Sequence, residues 1–134
     1  MNLNVPLAIG IGGFCGALAR AGVSAGMTRW LGETQSHFGT LAVNLLGCFA
    51  IGVLAALAAK NPGFSPTMQN FLMTGLLGSL TTFSTFAVDS LKLAQAGRPG
   101  AALMNVLLNL TVGLILVWLG TLAAGGLAPV EPAS

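Results

Sequence analysis

Apolar residues run through this chain in long stretches, and the charged interruptions between them are short. Residues 1–19, 34–59, 61–88 and 99–130 contain no Asp, Glu, Lys or Arg. A helix needs about 20 mostly apolar residues to cross a bilayer core, and each window has that length. The pattern predicts membrane helices over about 5–28, 38–59, 67–94 and 101–122. Lys60-Asn61-Pro62-Gly63 and Ala96-Gly97-Arg98-Pro99-Gly100 separate them with strong helix breakers. Ser65-Pro66 reads as a helix start, with Pro in the first turn. The stretch 29–35 is a polar connection, and 125–134 reads as a loose tail. No duplicated halves are visible. The expectation is an all-α integral membrane protein, one four-span domain over 1–134.

Composition narrows this further. Only 6% of residues are charged, against roughly 25% in an average soluble domain. Eight charges cannot cover a soluble surface, and 54% hydrophobic residues exclude intrinsic disorder. Five scattered basic residues with net charge +2 make no basic stripe, so nucleic acid is not a partner. Residues 5–15 and Ala17-Leu18-Ala19 resemble a signal peptide with its cleavage site, but no Lys or Arg precedes them. The segment is read as a retained first helix. Cys15 and Cys48 fall in apolar windows and read as packing residues. His37 is the only histidine and falls at a loop or the start of a helix, so no metal-binding cluster is spelled out.

Small residues recur at helical spacing. Gly12 and Gly16 are four apart, as are Gly22 and Gly26, a spacing that lets two helix backbones approach closely in lipid. The third window differs in kind. Between Gly75 and Phe86 it carries five hydroxyl residues and two phenylalanines in twelve positions. Gly78 and the β-branched pair Thr81-Thr82 make this the expected place for a helix break near mid-membrane. Non-helical backbone at that depth is tolerated only where protein or water surrounds it, so the stretch should face the interior of an assembly.

The chain contains no acid–base pair, no Ser/His/Asp set and no phosphate loop, so an enzyme is not expected. What the apolar interior does contain is Arg20, Asn44, Asn105, Asn109 and the hydroxyls of the third helix. Unpaired polar groups in hydrocarbon cost several kcal/mol. These must pair with one another as interhelical glue, or line a path for a permeant species. Amide and hydroxyl donors without a carboxylate suit an anion; a cation path would want Asp or Glu. Phe83 and Phe86 could add the positive edges of their rings. Asp89 and Arg20 read as lying near helix ends, which argues for passive flow over proton coupling.

Four motifs, in order, resemble the Fluc (CrcB-type) fluoride channels along nearly the whole chain. They are Gly-Gly-Phe-Cys-Gly-Ala-Leu-Ala-Arg ending at Arg20, Gly-Thr-Leu-Ala-Val-Asn-Leu-Leu-Gly at 39–47, Gly-Leu-Leu-Gly-Ser-Leu-Thr-Thr-Phe-Ser-Thr-Phe at 75–86, and Asn109 with Gly113. The third is by far the most specific. The resemblance implies an antiparallel dual-topology homodimer in the cell membrane with two fluoride pores at its interface. Phe83 and Phe86 would present ring edges to fluoride, Asn44 would donate to it, and Asn109 would join the hydroxyl track of Thr82, Ser84 and Thr85. A structural Na⁺ on the dyad would be held by the backbone carbonyls of Gly78 and Thr81. Arg20 would stand in a vestibule, with Asp89 near a pore end.

Charge placement fits less simply. Arg29, Lys92 and Arg98 fall on one side of the membrane and Lys60 on the other. By the positive-inside rule this bias leaves an oppositely inserted paralogous subunit as an alternative partner. Two other functions stay open: a small four-span proton-coupled exporter, and a non-transporting membrane subunit whose polar residues are all glue.

Overall fold

The computed structural model describes residues 3–126. The expected loose tail lies, from residue 127 on, outside the described residues. Every regular element among the described residues is helical. Four helical segments are long and apolar enough to cross a membrane: Asn4–Leu31, Glu33–Lys60, Pro66–Gln95 and Pro99–Ala123. We number the helices α1 (Asn4–Leu31), α2 (His37–Lys60), α3 (66–80), α4 (Phe83–Gln95) and α5 (Pro99–Ala123).

Local chemistry sets the boundaries. Gly32 ends α1 at φ 89°, a conformation open mainly to glycine. Ser65 starts α3: its Oγ accepts from the Met68 N–H at 3.2 Å, and Pro66 occupies the first turn. Gly97, at φ 73°, closes α4, where the Arg98 N–H donates back to the Leu93 carbonyl at 3.0 Å. Two stretches, Asn70–Leu77 in α3 and Leu108–Val112 in α5, are wound more widely as π-helix.

Glycines decide how the helices pair. A Cβ on Gly12 would strike the Phe71 carbonyl, and one on Gly16 the Leu76 carbonyl; a Cβ on Gly75 would lie 2.7 Å from the Ile9 carbonyl. So α1 and α3 run side by side, in parallel, at backbone contact. In the same way Gly52 fits against Val117 and Gly120 against Phe49, which sets α2 parallel to α5. Lys60 Nζ donates to the Ala124 and Gly125 carbonyls, tying the C-terminal ends of that pair together. Gly22 and Gly26 are different. Nothing lies within 4 Å of a Cβ at either position, so their spacing does not mark a contact within the chain. Gly16→Val is expected to lower stability by about 1–3 kcal/mol through overpacking, or to block folding; thermal unfolding in detergent measures it, with Gly22→Val as a near-neutral control.

α1 continues helically through Arg29 to Leu31. Arg20 therefore stands closer to the middle of α1 than to its end, contrary to the expectation from sequence. Asp89, by contrast, stands near the end of the third span, which closes at Gln95. The outer surfaces are apolar: Leu7, Phe14, Leu18, Leu114 and Trp118 are all exposed, as suits helices that meet lipid or another subunit.

Candidate functional site

The third span is interrupted at two residues. Thr81 (φ −82°, ψ 156°) and Thr82 (φ −154°, ψ 115°) are extended between α3 and α4. The Thr81 hydroxyl turns back to donate to the Leu77 carbonyl at 3.0 Å. The Thr82 hydroxyl caps α4, accepting from the Thr85 N–H at 3.3 Å. Opposite, Gly47 on α2 leaves the space that the Thr81 methyl fills.

Asn44 supplies the hydrogen bonds that the interrupted helix cannot. Its Oδ1 accepts from the Thr82 N–H at 2.8 Å, and its Nδ2 donates to the Thr82 carbonyl at 3.2 Å. The same Nδ2 donates to Asn109 Oδ1 at 2.9 Å. The Thr82 N–H can only donate, so it fixes which way the Asn44 amide faces. With Asn44 set, Asn109 must present its oxygen, and its Nδ2 donates to the Asn105 carbonyl at 2.9 Å and to Asn105 Oδ1 at 3.2 Å. Asn105 Nδ2 donates to Ser90 Oγ at 2.9 Å, and Ser90 Oγ donates to the Phe86 carbonyl at 2.9 Å. Both donor hydrogens of Asn44 are thus engaged within the chain.

Phe83 and Phe86 follow the break on the first turn of α4. Their ring centroids are 5.3 Å apart and their planes meet at 67°, an edge-to-face pair. Phe83 is 74% exposed and Phe86 6%. Ser84 and Thr85 are exposed beside them. The Thr82 hydroxyl lies 3.0 Å from that of Thr85 and 3.4 Å from that of Ser84.

Most of these residues converge on one cleft of ≈ 290 Å³, which Ser84 and Thr85 do not line. Asn44, Thr82, Phe83, Phe86 and Asn109 line it, with Gly78 and Thr81 at the break; no charged side chain does. Asp89 lies elsewhere. It lines a second cleft with Glu33, His37, Lys92 and Arg98, at the end formed by the 1–2 and 3–4 connections. There the Thr40 hydroxyl donates to Asp89 Oδ2 at 2.8 Å. Arg20 lines neither cleft and stands one turn beyond Gly16 on α1. Two participants were not singled out as site residues from sequence. Asn105, 3% exposed, had a visible signal in its spacing one turn before Asn109. Ser90 had none.

Residues 7–121 match the family described as CrcB-like protein, Camphor Resistance (CrcB). Among similar proteins is a "Fluoride-specific ion channel FluC" of Salinibacter ruber, 48% identical over 112 residues, covering 84% of this chain and 83% of the relative. The protein of the same name from Campylobacter jejuni subsp. jejuni is 42% identical over 120 residues, 90% of this chain and 97% of the relative. A third, from Methylococcus capsulatus, is 40% identical over all 134 residues of this chain but is itself longer, with 58% of its length matched. All three bear the name of an ion channel, and none that of an enzyme. On this extent of similarity, together with its four apolar spans, the chain is a multi-pass protein of the cell membrane and belongs to the CrcB-like family.

Proposed function

We propose that the chain is a passive fluoride-selective channel, with two pores at the interface of an antiparallel dimer. The observation that carries this reading is the cleft beside the break, where an edge-to-face phenylalanine pair, the Thr82 hydroxyl and two amides meet without a carboxylate, with the exposed Ser84 and Thr85 hydroxyls next to that of Thr82. Fluoride holds its water strongly, so a selective path must replace that water with several donors at once. The Thr82, Ser84 and Thr85 hydroxyls, the Asn44 and Asn109 amides and the ring edges of Phe83 and Phe86 are such donors. For Asn44 to reach the anion, one of its bonds must give way; the 3.2 Å contact to the Thr82 carbonyl is the longer of its two donations.

The exposure of Phe83, Ser84 and Thr85 supports an interfacial pore. Hydroxyls at membrane depth call for protein or water beside them, and a second copy inserted the opposite way would provide both. The break near mid-membrane also supports a cation site on the dyad. In a continuous helix the Thr82 N–H would bond the Gly78 carbonyl, but it bonds Asn44 instead. The carbonyls of Gly78 and Thr81 then belong to an open helix C-terminus, a donor set that suits Na⁺. A sodium ion bound there would supply fixed positive charge between the pores. Asp89 and Arg20 are assigned to the approach to the pore, where charge steers ions.

A negative-inside potential drives an anion outward with about 2.3 kcal/mol per 100 mV, so export needs no coupled proton. Fluoride efflux from reconstituted liposomes tests the reading: rapid fluoride release with little chloride release is expected. Absent flux, or equal flux of both halides, rejects it. The uneven placement of Arg29, Lys92 and Arg98 against Lys60 favours one insertion over the other. Reporter fusions finding this chain in both orientations would support the homodimer; a single orientation would assign the second subunit to an oppositely inserted paralogue.

A further inference from the structure

We propose that Asn105 and Ser90 are positioning residues that hold the Phe83–Phe86 turn and the Asn44 amide in one geometry, and thereby set anion selectivity. The proposal rests on the channel reading. Five hydrogen bonds run head to tail from the Thr82 N–H through Asn44, Asn109, Asn105 and Ser90 to the Phe86 carbonyl. Every donor points the same way along the series. Such chains polarise and strengthen each member. Turning any one amide over would set donor against donor at its neighbour, so the series locks all three amides together.

The path begins and ends on one segment. Thr82 immediately precedes Phe83, and Phe86 supplies the last acceptor. The relay therefore spans the turn that carries both rings and anchors it to α2 through Asn44 and to α5 through Asn109 and Asn105. Asn105 is 3% exposed and does not line the cleft, and neither does Ser90. They act through Asn109 and the Phe86 carbonyl without touching the ion. If Ser90 loses its hydroxyl, Asn105 Nδ2 loses its acceptor, and the orientation of the series rests on Thr82 and on the Asn109 donation to the Asn105 carbonyl, which leave the Asn105 amide itself unfixed.

The test uses the full chain in liposomes with Ser90→Ala, Ser90→Thr and Asn105→Leu. The fluoride-to-chloride permeability ratio, read from reversal potentials, should fall about tenfold in Ser90→Ala and Asn105→Leu, the effect of about one hydrogen bond. Ser90→Thr keeps the hydroxyl and should retain the wild-type ratio. A double-mutant cycle joins Ser90→Ala with Asn44→Ala and reads melting temperature in detergent, so it does not depend on flux or on Asn105→Leu folding. No hydrogen bond links these two residues directly, and independent sites would add; the relay predicts non-additive shifts. Additive shifts overturn the relay. Non-additive shifts with an unchanged ratio overturn its role in selectivity. A wild-type protein without fluoride flux overturns the channel reading, and the cycle still decides the relay.

Discussion

Asn44→Ala is expected to reduce fluoride flux by about a hundredfold or more and to destabilise the protein by about 2–4 kcal/mol. The stability cost follows from two backbone groups left without partners, the N–H and carbonyl of Thr82, at ~1–2 kcal/mol each. Asn109 Oδ1 loses its donor as well. The flux loss has a second origin, because the same amide is the proposed donor to the ion. Asn44→Asp tests the donor role directly. A carboxylate can still accept from the Thr82 N–H but cannot donate to the Thr82 carbonyl or to Asn109 Oδ1, and it buries a charge, so stability should fall at least as far and flux should remain absent. Thermal unfolding in detergent and efflux from liposomes measure both. Near-wild-type flux in Asn44→Ala would remove this residue from the pathway.

The two phenylalanines should behave unequally. Phe83→Ile and Phe86→Ile are each expected to reduce fluoride flux by more than about tenfold, since an aliphatic side chain has no electropositive ring edge. Their effects on the fold should differ. Phe86 is almost fully buried within the chain, so its loss removes packing and should cost about 1–2 kcal/mol. Phe83 is mostly exposed in the single chain, so its replacement should leave the melting of the subunit nearly unchanged. Where Phe83 packs against a second subunit, cross-linking would register the loss as a weaker dimer. Unchanged flux in both variants would return the rings to a packing role.

The four spans were legible because bilayer thickness acts directly on sequence. Charge-free windows predicted 38–59 where α2 runs His37–Lys60, and breakers such as Asn61-Pro62-Gly63 leave little freedom at the ends. The start at Ser65-Pro66 was legible for the same local reason. Arg20 was placed wrongly along its helix because a charged residue was taken as a sign of a nearby end, whereas Asp89 does stand near the close of the third span. In fact Thr28-Arg29-Trp30-Leu31 continues α1 as helix. The composition of the third span singled out Thr82, Phe83 and Phe86, and these do meet Asn44 and Asn109 in one cleft. What sequence could not supply was the use made of the amides. That Asn44 holds Thr82 by both backbone groups depends on the rotation of α2 against the third span, which Gly47 permits by its contact with Thr81. Ser90 looked like any hydroxyl on a helix, because its role depends on Asn105 arriving from another element.

The solitary position of Arg20 in the interior of α1 bears on how the protein responds to the membrane electric field. Voltage sensors depend on three or four charges per subunit moving through that field. One arginine, on a helix held against α3 at Gly12 and Gly16, cannot supply such a displacement. Membrane voltage should therefore set the direction and size of the current without changing open probability, and current–voltage relations in symmetric fluoride should be ohmic.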